Sequence, residues 1–195
     1  MPKILTAREV VDTCIPNGAT VTFSGFAGGL MHPEEIMVAL EEAALEGRGP
    51  RDLTVVYASG QGDSDSRGLN HLGVEGMCKK VIGGHWGLAP KLGKLAAENK
   101  LAGYNLPQGT IAQLFREIAA KRPGVLTNVG LGTFVDPRLE GGKLNDAARE
   151  AGDVVKVVEF EGEEKLFYPA FPIDVAVIRA SFADTHGNCS FQREG

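Results

Sequence analysis

The chain has 195 residues, 43% of them hydrophobic and 23% charged, with a formal net charge of −5. It is long enough for one ordinary domain with its own hydrophobic core, and its composition excludes an intrinsically disordered chain. The net negative charge gives no electrostatic footprint for nucleic acid, and no stretch approaches the ~20 consecutive apolar residues of a membrane helix.

The first five residues, Met1 to Leu5, hold no apolar signal-peptide core before the polar Thr6-Ala7-Arg8-Glu9, so the expected location is cytoplasmic. Thr6-Ala7-Arg8-Glu9 has the form of a capping box and predicts a helix start. Val10, Val11, Cys14 and Ile15 then supply its apolar stripe, and Pro16-Asn17-Gly18 stops it. Ala19–Phe23 reads as a buried strand that runs into Ser24-Gly25-Phe26-Ala27-Gly28-Gly29. A second helix is expected from about Pro33 to Leu45. The alternation recurs: a strand at Leu53–Ala58, a polar loop from Ser59 to Arg67, a short strand at Lys80–Gly83, and a helix from about Pro90 to Asn99. Leu101–Asn105 is the next strand, and Pro107-Gln108-Gly109 leads into an amphipathic helix at Thr110–Lys121. Strands alternating with helices at this spacing predict a parallel sheet covered on both faces.

After Pro123 the pattern becomes irregular and loses helical period. Val154–Phe160 and Lys165–Tyr168, joined by Glu161-Gly162-Glu163-Glu164, predict a β-hairpin. Ile173–Ala180 is the last strong strand. Asp184–Asn188 then makes a turn, and Cys189-Ser190-Phe191 begins another strand whose partner is expected beyond these residues, so the domain reads as C-terminally incomplete. The cysteines, Cys14, Cys78 and Cys189, are odd in number and widely spaced. They match neither a disulfide framework nor a zinc pattern and read as small buried hydrophobes.

The strand–glycine–helix at residues 20–34 is the first candidate site, because backbone N–H groups at the end of a parallel strand can face an anion or oxyanion. Its spacing excludes two nucleotide motifs. Gly25-Phe26-Ala27-Gly28-Gly29 is not Gly-x-Gly-x-x-Gly, and Gly141-Gly142-Lys143 is followed by Leu144 rather than Ser or Thr.

Asn17-Gly18, an apolar strand, Gly25-Phe26, a glycine stretch and Pro33 together resemble the first signature of the family I coenzyme A-transferases. The pattern departs from the family at Thr22, at Ser24 and in the one-residue displacement of Pro33. Further segments follow in the same order: Pro107-Gln108-Gly109-Thr110, Gly130-x-Gly132-Thr133, Gly141-Gly142-Lys143 and Ala183-Asp184-x-x-Gly187-Asn188. Gly83-Gly84-His85-Trp86-Gly87 and Thr133–Arg138 are similar to the single-chain acetate/propionate (short-chain acyl) members. The resemblance spans Thr6 to Phe191 and places the chain in the N-terminal, α-type half.

It implies an open three-layer α/β domain over residues 1–195, with a mainly parallel sheet and a β-rich excursion at about 125–170. It also implies CoA transfer between a short-chain acyl-CoA and a carboxylate such as acetate, through a glutamyl-CoA thioester. CoA is then a substrate, and no tightly bound cofactor or metal is expected. The family's nucleophilic Glu belongs to the β-type half, so this chain alone is expected to be inactive. That half, as a separate subunit or the rest of one chain, is the implied partner, in an oligomer of the complete enzyme. The expected substrate-binding residues are Gly25, Phe26, Ala27, Gly28, Gly29, Gln108 and Gly109. Gln108 either holds a carboxylate oxygen or merely caps its helix. Glu75, before Gly76, falls in a structural segment, and His85 beside Trp86 reads as structural or as an interface contact because no Ser or Cys nucleophile is marked nearby. Arg138 and Lys143 read as solvated surface rather than as phosphate ligands. An acyl-CoA hydrolase, a sugar-phosphate isomerase and a ligand-sensing module of related fold are the alternatives.

Overall fold

A computed structural model describes residues 4–194. The capping box forms: Thr6 Oγ1 accepts from Glu9 N–H, the Glu9 carboxylate accepts from Thr6 N–H, and helix α1 runs Ala7–Cys14. Strand β1 (Thr20–Phe23), helix α2 (Glu34–Leu45) and strand β2 (Leu53–Tyr57) follow where periodicity places them. A 3-10 turn at Leu69–Leu72 precedes β3 (Cys78–Gly83); the sequence carries no mark of this turn. Then come α3 (Pro90–Ala97), β4 (Ala102–Asn105) and α4 (Gln108–Ala119). Helix α4 starts two residues earlier than its apolar period suggests, so Gln108 is its first residue rather than part of the approach to it.

The irregular region holds a strand β5 (Gly124–Thr127), a short helix α5 (Asp146–Ala151), and the expected hairpin of β6 (Lys156–Phe160) and β7 (Glu163–Pro169). Its turn residues Glu161 and Gly162 both have positive φ, 51° and 78°, the signature of a two-residue primed turn. These strands form a three-stranded antiparallel sheet in the order β5-β7-β6. The expected long strand after Pro172 shortens to β8 (Val175–Val177), and β9 (Phe182–Ala183) pairs with β10 (Cys189–Ser190) across the Asp184–Asn188 turn. The strand beginning at Cys189 pairs with β9 immediately upstream.

The main sheet is five-stranded and wholly parallel, in the order β4-β3-β2-β1-β8. Alternation along each strand divides the core in two. Val21, Phe23, Leu53, Val55, Tyr57 and Val81 face α1, α2 and α3. Val56, Ile82, Ala102 and Tyr104 face α4, α5 and the antiparallel sheet. Coverage of that second face is graded. In the register Ala176–Thr22–Val56–Ile82–Tyr104, the last three are buried, Thr22 is half-buried and Ala176 is exposed. Among the described residues no helix is long and apolar enough to cross a membrane.

Candidate active site

Because all five strands run the same way, β1, β2, β3 and β4 deliver their exit loops to one edge of the sheet, where ligands bind in open α/β folds. The β1 exit is a tight reverse loop. Gly25 has φ 118° and Gly29 φ 135°, Phe26 N–H donates to Leu30 O at 3.0 Å, and Ser24 Oγ donates to Met31 O at 2.9 Å. Gly25 is required for space as well as conformation. A Cβ there would lie 2.9 Å from Leu30 O and inside contact distance of the buried His32 ring. Ala27 bridges in parallel to the β2 exit at Gln61, which leaves the N–H groups of Gly28 and Gly29 without an acceptor among the described residues.

The β2 exit holds this turn in place. Gln61 is 2% exposed, and its Nε2 donates to Phe23 O and to Gly25 O, each at 2.9 Å. Gly62 N–H donates to Ala27 O at 3.1 Å. The Asp63 carboxylate accepts from the N–H groups of Asp65, Ser66 and Arg67, which bring its pKa down to about 2.

The β3 and β4 exits are interlocked. Gly84 N–H donates to Tyr57 O at 3.2 Å and Leu106 N–H to Gly83 O at 3.0 Å. A Cβ on Gly84 would overlap Ala58 O and lie 2.6 Å from Gln108 Cγ, so the Gln108 side chain rests directly on this glycine. Pro107 is the N-cap of α4, and no side chain caps that helix. Gln108 therefore does not cap it, and its exposed amide makes no hydrogen bond among the described residues. Gly109 is exposed, with open space above it.

The expected substrate-binding residues thus share one edge in two groups, Gly25–Gly29 at β1 and Gln108–Gly109 at β4. Three strand spacings separate them, about 14 Å. Sequence reasoning missed Gln61, because a glutamine's contacts with a strand 38 residues away leave no local signal. It also underweighted His32, which is 2% exposed with both ring nitrogens unpartnered among the described residues; burial, more than any other cause, lowers its pKa.

Other candidates lie elsewhere. Glu75 precedes β3, at the opposite edge, and pairs with Lys100 at 2.8 Å. Arg138 grips Glu164 through two 2.9 Å bonds and binds the buried Asp136, while Lys143 pairs with Asp153. Arg138 is an exposed surface cation as expected, whereas the Lys143 side chain is largely covered. Of the cysteines only Cys78 is buried, and that burial pushes its thiol up to about 12; Cys14 and Cys189 are exposed. Two cavities, of about 760 and 300 Å³, are lined by α4 with β5 and by the second sheet face with β7. Neither touches the glycine turn, Gln61, His85 or Gln108.

The chain is an α/β domain whose open parallel sheet presents backbone donors and a carboxamide at its exit edge. The coenzyme A transferase family model matches residues 4–195, and the chain belongs to that family. It is 47% identical to caffeate CoA-transferase of Acetobacterium woodii over 195 residues, covering 100% of this chain and 36% of that protein. It is 31% identical to the acetate CoA-transferase subunit alpha of Escherichia coli K12, covering 97% of this chain and 75% of that subunit. The crystal structure of the acyl-CoA transferase YdiF from Escherichia coli O157:H7, a thioester complex with CoA, superposes with a TM-score of 0.94 at 39% identity. That match covers 99% of this chain and 37% of YdiF. The chain thus spans about a third of the length of the first of these relatives.

Proposed function

We propose that residues 1–195 form the α-type domain of a CoA-transferase that moves CoA between a short-chain acyl-CoA and a carboxylate such as acetate. The observation that carries this reading is the shared edge. The N–H groups of Gly28 and Gly29 and the exposed Gln108 amide, all without a partner among the described residues, lie at the exits of one parallel sheet. Such donors suit an oxygen that gains negative charge as a thioester carbonyl becomes tetrahedral, and a carboxylate that must be held for attack. Two carboxylates beside this edge are already engaged. Glu34 accepts from Gly68 N–H and faces His71, and Asp63 is saturated by backbone donors.

The nucleophilic glutamate, as the family resemblance implies, belongs to a β-type half, a separate subunit or the remainder of a longer chain. Its carboxylate attacks the thioester carbonyl, the C–S bond breaks, and CoA leaves as thiolate with an acyl-glutamyl anhydride behind. The thiolate then attacks the glutamyl carbonyl and releases the acyl carboxylate, giving the glutamyl-CoA thioester from which an acceptor carboxylate collects CoA. The glycine turn holds the oxyanion and Gln108 orients the carboxylate, while closure of the two halves excludes the water that would hydrolyse the anhydride. CoA is a substrate here, and the complete enzyme is an oligomer.

The test is acetyl-CoA to propionate transfer, measured with this chain alone and with it assembled with a β-type half. Transfer only in the assembly, without net thioester loss, supports the reading. Turnover by the chain alone, or acceptor-independent hydrolysis, overturns it.

A further inference from the structure

The exit edge carries a repeated arrangement in which each strand's exit seats a polar side chain on the backbone of the neighbouring strand's exit. Gln108, from β4, rests on Gly84 of β3. Gln61, from β2, binds the Phe23 and Gly25 carbonyls of β1. Between them His85, from β3, lies on Gly60 of β2: a Cβ on Gly60 would be 2.5 Å from His85 Nδ1 and 3.1 Å from its Cγ. Gly87 closes the other side, where a Cβ would be 3.0 Å from Cε1 and 3.4 Å from Nε2. The imidazole occupies a slot between two glycines.

Its neighbour explains how the ring is aimed. Trp86 is fixed by its indole N–H, which donates to Tyr104 O at 3.2 Å, and by edge contact with the Tyr57 ring at 6.4 Å. Gly83 leaves room for that tyrosine, whose ring a Cβ there would strike. With Trp86 turned into the sheet, His85 is turned out. It is exposed, and neither ring nitrogen has a hydrogen-bond partner among the described residues. A ring packed against backbone yet unpartnered differs from a core histidine, which is hydrogen-bonded.

We infer that His85 is a third substrate-contacting residue, standing between Gln108 and the glycine turn and donating a hydrogen bond from its imidazole to a carboxylate or thioester oxygen of the bound acyl group. The inference rests on the CoA-transferase reading and deepens it. An imidazole carries at least one N–H in either protonation state, so the donor is always present. Its place in the strand order spans the roughly 14 Å gap that Gln108 and the glycine turn leave between them.

The experiment uses the complete enzyme, this chain assembled with its β-type half, and compares His85→Ala, His85→Asn and Gln108→Ala in acetyl-CoA to propionate transfer. His85→Ala is expected to lower kcat/KM roughly 10- to 100-fold, as loss of a hydrogen bond to a charged group does. His85→Asn, which keeps an N–H donor, recovers part of the loss, and the thermal midpoint stays within about 2 °C of the parent in both, as for exposed sites. If Gln108→Ala loses activity while His85→Ala stays within twofold, the His85 assignment fails and the site survives. Losses in His85→Ala and His85→Asn that follow a matching fall in thermal midpoint also overturn it, leaving a structural residue. If neither Gln108→Ala nor His85→Ala changes activity, or the assembly transfers nothing, the underlying reading fails and takes His85 with it.

Discussion

Replacing Gly25 by alanine tests how tightly the glycine turn is built. The residue has φ 118°, which L side chains rarely adopt, and its new Cβ would meet Leu30 O at 2.9 Å and overlap the His32 ring. The backbone strain is worth about 2 kcal/mol and the overpacking against buried neighbours about 2 kcal/mol more. Gly29→Ala is the matched control. Its φ is 135°, but nothing lies within 4 Å of the added Cβ, so only the strain applies. For a domain of this size, 1 kcal/mol moves the thermal midpoint by about 2–4 °C. Gly25→Ala is therefore expected to lose roughly 8–16 °C and Gly29→Ala about half of that, measured by circular dichroism on heating. Equal losses in the two variants, or a change of less than about 2 °C in Gly25→Ala, would refute the packing argument and the turn geometry with it.

Two further outcomes follow from charge and burial. The Asp136 carboxyl is held well below its ordinary value of 3.8, first by the Arg138 guanidinium and then by the Gly132 N–H. A group whose folded pKa is depressed adds stability that is complete above the unfolded value and disappears as pH falls through the folded one. Urea denaturation should therefore show stability dropping below about pH 4, with Asp136→Asn less stable by about 2–3 kcal/mol at pH 7 and flatter in acid; an unchanged acid slope in the variant refutes the assignment. Cys14 and Cys189 are exposed while burial pushes the Cys78 thiol up to about 12, so a disulfide reagent at pH 8 should titrate two thiols in the native chain and the third only after denaturation. Three fast thiols would contradict the buried position of Cys78.

Much of the fold is written locally. The Thr6–Glu9 capping box, the Pro90 start of α3 and the Glu161-Gly162 turn each work within four residues, so the sequence shows them directly. Apolar pattern predicts all five parallel strands and four of the covering helices. Helix α5 escaped because six residues are too few for a period to emerge; what holds it is tertiary. Asn145 Oδ1 caps it at Ala148 N–H and also accepts from Gly103 N–H of β4, while Tyr104 Oη donates to Ala148 O. The strand at β5 was hidden by Gly124 and becomes visible only through its pairing with β7.

The site divides the same way. The sequence by itself determined the glycine turn after β1 and the position of Gln108 at a helix start, because positive φ, small size and a helix start are properties of short segments. What only the tertiary structure decided is the order of the strands, and with it which exits adjoin. That order makes Gln61 a brace for the Gly25 turn, frees Gln108 from capping, and lays His85 on Gly60. None of these contacts joins residues close in the chain, and hydrogen bonds across 38 residues exist only once parallel pairing has fixed β1 beside β2.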